Sequence, residues 1–324
     1  GYDLGGITGA RYVSVLWSLL GVLAVYFAGA WLMGRAAGFA GALLLTVHVS
    51  QVWFASQPNA ELTLQTLIFA GLLAYARAHV DEDKFFAPLA GTILGLGIFA
   101  HLAGAFVAVA VGCATLVGRF AGQRWLWSFV LPLAAAVLLY ITYLFTVLLP
   151  YAAQPLGFIR GLRTTQVALL ALGGSGVLAL AWAASRPAIA ATVRRWLPAV
   201  TGMTVCVAAG YALFFRQAGG LLAPHDADAL RTFTRFYLLP VGMAGALLGW
   251  VLVVSQSFWR GLAFVLATAL LGLFFFYKGR IVPEHFWWSR RYLPLILPAC
   301  LLLVGSAAFT ELRGAWMPSW ALVN

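Results

Sequence analysis

The chain has 324 residues, 63% of them hydrophobic and only 9% charged, with 20 Lys and Arg against 9 Asp and Glu. A soluble domain carries about 25% charged residues to face water, so a soluble globular domain is excluded. Its mean hydropathy of +0.94 comes from apolar runs of about 18 or more residues, each enough to cross a hydrocarbon core of roughly 30 Å. The runs are continuous rather than alternating, which in lipid leaves α-helices and excludes barrel strands. An all-α, polytopic membrane protein of about eleven transmembrane helices is expected.

In chain order the spans fall at 12–33, 38–56, 62–79, 87–100, 103–118, 126–149, 165–184, 197–215, 236–255, 261–277 and 292–309. The segment 87–118 is too short for two full spans and too long for one. Two short helices turning near His101-Leu102-Ala103-Gly104 fit it, with glycine permitting a tight turn. The charged connectors are Gly34-Arg35, Asp81-Glu82-Asp83-Lys84, Arg119 to Arg124 and Arg194-Arg195. With the short hairpin, Lys and Arg divide equally between the two faces, so the positive-inside rule does not orient the chain. A full set of cations on the outward face asks for a reason, and an anionic ligand supplies one; a single span over 87–118 would make the distribution more ordinary. No internal repeat or linker divides the sequence, which reads as one domain over 1–324.

Cys113, Cys206 and Cys300 all lie in apolar spans, where a thiol serves as a small hydrophobe; neither a disulfide nor a cysteine metal site is expected. The net charge of +11 points to anionic lipid headgroups and phosphate-bearing substrates, not to nucleic acid.

Two places concentrate chemistry. Glu61 follows Gln57-Pro58-Asn59-Ala60, a helix-breaking sequence at the mouth of a span. It reads either as a cap on free N–H groups or as an acid/base or metal ligand, since a carboxylate at the interface is costly. The second is Lys278 through Tyr292, where Lys278, Arg280, Arg290 and Arg291 share a loop with His285, Trp287 and Trp288. Guanidinium forks match phosphate oxygens, whereas snorkelling arginines with an aromatic belt would account for part of the cluster. Arg163 could join it, and residues 216–235 could form a short surface helix nearby. His101 reads as a satisfied buried histidine or as a pocket residue.

Ala10-Arg11-Tyr12 through Gly34-Arg35, Ala36 to Val52-Trp53-Phe54, and Pro58-Asn59-Ala60-Glu61 resemble the second to fourth helices of GT-C glycosyltransferases. More narrowly, they resemble the superfamily of dolichyl-phosphate-mannose protein mannosyltransferases and the lipid A aminoarabinose transferase. Trp288-Ser289-Arg290-Arg291-Tyr292-Leu293-Pro294 with Leu297-Pro298 is similar to the Arg-Tyr-x-x-Pro approach to a late helix in those enzymes. The resemblance implies a metal-assisted inverting transferase on the outer face of the bacterial cytoplasmic membrane. It would move a hexosyl or pentosyl group from a polyprenyl-phosphate carrier to an acceptor hydroxyl. By the same resemblance, Glu61 is catalytic and a ligand of a divalent cation, and Lys278, Arg280, Arg290, Arg291 and Arg163 bind lipid phosphate. Asn59, His101, His285, Trp288 and Tyr292 line the substrate pocket. The family's main catalytic Asp lies in a first outward loop ahead of Tyr12, so a missing first helix and loop are expected, with Asp3 the remaining candidate. Ser56-Gln57 and His101 stand where the family has an Arg-Tyr pair and a charged pair. A lipid-linked substrate transporter or flippase, or an inactive glycosyltransferase-like protein, are the alternatives.

Overall fold

The computed structural model describes residues 2–149, 186–219, 222–278 and 287–310, with a few single positions between 150 and 185. The described chain is a helical bundle. Its helices are α1 (Tyr2–Met33), α2 (Arg35–Val47), α3 (Val49–Ala55), α4 (Glu61–Val80), α5 (Phe86–Ala100), α6 (Ala103–Gly118) and α7 (Trp127–Thr146). After position 186 come α8 (Pro187–Gly210), α9 (Pro240–Ser257), α10 (Leu262–Tyr277) and α11 (Ile296–Phe309). Each expected span coincides with one of these helices except 38–56, which is divided between α2 and α3, and 165–184, which falls largely outside the described residues.

Among the described residues, five segments are long and apolar enough to cross a membrane by themselves: Gly5–Met33, Ala103–Ala121, Trp127–Thr146, Pro187–Phe215 and Pro240–Ser257. The expected 38–56 helix is instead a bent pair, α2 and α3, meeting at 60°. His48 makes the break. Its backbone is extended (φ −69, ψ 129), and its Nδ1 accepts the Ser50 N–H at 3.1 Å. The proton is therefore on Nε2, which donates to the Tyr237 carbonyl at 2.8 Å. The hairpin over 87–118 is present, with α5 closing at Ala100 and α6 opening at Ala103. At 15 residues, α5 is about 22 Å long and does not span a full hydrocarbon core alone.

Two boundaries differ from expectation. The helix expected from 197 begins at Pro187, because proline pre-sets φ at a first helical turn whose N–H groups have no helical partner. Arg194 and Arg195 thus lie on its exposed face instead of in a connector. Residues 216–235 do hold short helices, Pro224–Ala227 and Ala229–Phe233, which are exposed at Pro224 and His225 and buried at Asp226 (1% exposed) and Phe233 (0%).

Close backbone approach sets the packing. Helix α11 is the central post, lying against α2 and α9, while α1, α5 and α4 form the neighbouring layer. A Cβ on Gly249 of α9 would stand 1.9 Å from the Leu303 carbonyl oxygen, and one on Gly305 of α11 would stand 2.4 Å from that of Ala37. In lipid, where hydrophobicity does not drive helices together, such small residues permit the contact that does.

At one end of the bundle the Trp31 indole donates to Asp81 at 3.2 Å, Arg77 pairs with Asp81 at 3.4 Å, and the Arg260 guanidinium sits 4.2 Å above the Trp31 ring. The opposite end carries Glu61, His101 and Arg290, the groups of interest below. Gly249→Val should destabilise the protein by about 1–3 kcal/mol through overpacking, read as a lower thermal midpoint in detergent; an unchanged midpoint would contradict the α9–α11 contact.

Candidate functional site

The site forms where the start of α4, the α5–α6 hairpin and the segment before α11 come together. The α4 boundary is built by Asn59. Its amide nitrogen donates to the Phe54 and Gln57 carbonyls at 2.6 and 2.7 Å, and its Oδ1 accepts the Leu62 N–H at 3.4 Å. Asn59 therefore closes α3 and caps α4, and the cap does not come from Glu61.

That leaves the Glu61 carboxylate, only 1% exposed, for a distant partner. Its Oε1 accepts from Nε of Arg290 at 2.5 Å, and Arg290 stacks 4.1 Å over the Trp287 ring. The second oxygen, Oε2, is buried without a hydrogen-bond partner. The neighbouring Arg291 has a buried Nε that is equally without one. Burial draws the Arg291 pKa down, Arg290 adds to this, and Glu61 works against it. Two guanidinium groups against one carboxylate leave a net positive charge in a place of reduced dielectric, where charge-assisted hydrogen bonds are strongest.

His101 occupies the turn of the hairpin, close enough to feel Glu61, Arg290 and Arg291 electrostatically. Its Nδ1 accepts the Ala103 N–H at 3.1 Å. Burial holds its pKa below the ordinary 6.5; Glu61 opposes this and the two arginines reinforce it. The ring is neutral, with its proton on Nε2.

Beneath the ion pair lies a polar layer. Gln51 (2% exposed) and Gln65 (0%) exchange amide hydrogen bonds at 3.1 and 3.2 Å. Gln51 also donates to Ser18 at 2.9 Å, and Gln65 to the Leu293 carbonyl at 2.8 Å. Gln65 is one turn along α4 from Glu61, so the helix that carries the carboxylate also grips the chain two residues beyond Arg291. This layer was absent from the sequence-based residue set. Its signal was present, as two glutamines inside apolar runs.

Of the other expected residues, Trp288 and Tyr292 are 3% and 0% exposed. They form the aromatic foundation of the segment, with Tyr292 stacked on Phe276 at 5.0 Å and Trp288 edge-on to Tyr292 at 5.2 Å. Lys278 ends α10. Asp3 is exposed in the first turn of α1, ahead of a break at Gly5 and Gly6, and none of the contacts described above involves it. Arg163, Arg280 and His285 lie outside the described residues. Among the described residues no three His, Cys, Asp or Glu side chains gather into a metal-binding group. Glu61 meets a guanidinium instead of a second carboxylate, so the described residues do not fit a divalent cation.

The sequence matches no family model and no curated protein. The fold is similar to that of the Archaeoglobus fulgidus oligosaccharyltransferase, seen in a crystal structure tethered by a disulfide to an acceptor peptide containing the NVT sequon. The TM-score is 0.53 at 14% identity, covering 91% of this chain and 38% of the other. The chain thus spans well under half the length of that enzyme. The likeness establishes the fold: a polytopic, all-α membrane protein of the GT-C type, similar in architecture to a membrane glycosyltransferase.

Two predictions follow from this geometry. Removing Arg290 strands the buried Glu61 carboxylate, so Arg290→Ala should cost about 3–5 kcal/mol, whereas Glu61→Ala leaves a guanidinium that is 27% exposed and should cost less. The double variant should cost less than their sum, measured by unfolding in detergent; additive losses would contradict the pairing. For His101 the unfolded chain takes up a proton below pH 6.5 while the folded ring resists, so the unfolded state binds more protons there. Stability should fall as pH drops from 6.5 through the lower folded pKa. His101→Gln should flatten that part of the stability–pH curve, and an unaltered curve would remove the assignment.

Proposed function

We propose that this protein transfers a sugar from a polyprenyl-phosphate carrier to an acceptor hydroxyl at the outer face of the bacterial cytoplasmic membrane. The observation that carries the reading is the Glu61–Arg290 ion pair with Arg291 beside it. It is a positively charged cluster at one end of a GT-C-type bundle. The likeness to an oligosaccharyltransferase fold supports it.

In this reading the lipid phosphate lies against Arg291 and Arg290, whose donors match its oxygens. The acceptor oxygen attacks the anomeric carbon, and a new carbon–oxygen bond forms as the bond to the phosphate breaks. The phosphate leaves with the electron pair, and its growing charge is met by guanidinium groups already held in place. Glu61 orients Arg290 through Oε1. Its Oε2 is the acceptor left for the hydroxyl proton, a general-base role. Neutral His101 already uses Nδ1 on the Ala103 N–H, so it is a donor to substrate oxygens and not the base. The Gln51–Gln65 layer keeps both charged elements in register.

Phosphate-lipid binding without transfer is the second reading. It is favoured by Glu61 being the one carboxylate that pairs with the arginines among the described residues. Arg291→Ala decides the phosphate role: turnover of a polyprenyl-phosphate sugar by the purified protein should fall roughly 10²–10³-fold, as when a preorganised charge donor is lost. Unchanged turnover would end that role. Wild-type protein that binds the lipid without turnover would favour the second reading.

A further inference from the structure

A separate cavity of about 360 Å³ lies among α8, α9, α10 and α11. This is the size of a small-molecule site. Its walls are mostly apolar, and Glu61, His101, Arg290 and Arg291 are not among its lining residues. The stacked Phe276 and Tyr292 rings stand between this space and the arginine segment.

Three features of the walls are not accounted for by packing. Trp250 is only 2% exposed, lines the cavity, and has an indole Nε1 without a hydrogen-bond partner. Thr268, facing the same space from α10, has a buried hydroxyl that is also unpartnered. An unmet donor in an apolar setting is costly, so two such groups at one cavity ask for an acceptor oxygen. The third is Gly272, inside α10 and on the lining. A Cβ there would meet nothing within 4 Å. Glycine in a helix interior costs about 1 kcal/mol relative to alanine, and no neighbour requires it here. What it preserves is open volume.

The mouth has its own character. Arg216, which ends the helical stretch after α8, is 6% exposed and lines the cavity. Its guanidinium donates to the Phe276 and Tyr277 carbonyls at the end of α10 and sits 5.4 Å from the Tyr277 ring. Those partners are neutral, so the charge keeps its attraction for an anion. Thr268 precedes Tyr277 by nine residues, a depth of about 14 Å along the helix. The cavity therefore presents a cation at the end of α10, an apolar passage, and two hydrogen-bonding groups about halfway along that helix.

From this we infer that the cavity binds an oxygenated acyl chain: an anionic head at Arg216, hydrocarbon along α10, and a mid-chain oxygen taken by Trp250 and Thr268. The site is distinct from the arginine cluster and does not depend on the transfer reaction.

The test is native mass spectrometry of the full chain, delipidated in detergent, with mid-chain hydroxystearate and stearate as probes. Wild-type protein should bind one hydroxystearate, about tenfold more tightly than stearate, as two modest hydrogen bonds provide. Gly272→Leu fills the space without a backbone clash and should abolish binding of both. Trp250→Phe combined with Thr268→Val keeps the shape, and should bring the two affinities together. Equal affinities in the wild type, or binding that survives Gly272→Leu, would overturn the inference. So would competitive displacement by polyprenyl phosphate, which would assign the cavity to the sugar donor.

Discussion

A single ion pair, Glu61 with Arg290, joins residues 229 positions apart in sequence. The Glu61 carboxylate could not be placed there alone, because a buried ion without its partner costs several kcal/mol. Its formation requires that α4 begin where it does, that α3 end just before it, and that the segment ahead of α11 fold back over both. Asn59 meets the first two demands and the Gln65–Leu293 hydrogen bond meets the third. The charged site is thus a product of the backbone's own termination chemistry, assembled at one end of the bundle.

The pair is also unevenly satisfied, and this is what gives it chemical potential. A fully bonded salt bridge would be inert. Here one carboxylate oxygen and the adjacent Arg291 keep unused capacity, and the local excess of cation over anion makes a phosphate the natural complement. His101 belongs to the same balance: burial draws its pKa down first, Glu61 opposes this, and the two guanidinium groups reinforce it.

Much of the architecture was legible in the residues. Long apolar runs can only be helices in lipid, and the small-residue turn at His101-Leu102-Ala103-Gly104 correctly indicated a hairpin where length alone was ambiguous. Glu61 and the Arg290-Arg291 pair stood out as the two concentrations of chemistry in the sequence, and the structure brings Glu61 and Arg290 together. Less was readable where tertiary contacts decide. The break at His48 combines a local cap on the Ser50 N–H with a contact to the Tyr237 carbonyl across 189 positions, and only the first lies within reach of the local sequence. The resemblance offered Asn59 as a pocket residue, and the structure adds a capping role that the sequence did not reveal. Trp288 and Tyr292 looked like substrate contacts because aromatic residues near a membrane surface serve as readily in a belt as in a core, and only packing against Phe276 and Phe233 separates the two. Pro187 could have announced the earlier start of α8, but the arginines after it suggested a loop.

The imidazole of His48 is fixed at both nitrogens, one to the backbone of α3 and one to the segment that leads into α9. A ring held in this way behaves as a rigid strut. The 60° bend between α2 and α3 is thus tied through one side chain to a segment 189 positions away, and α3 is followed within a few residues by Asn59 and Glu61.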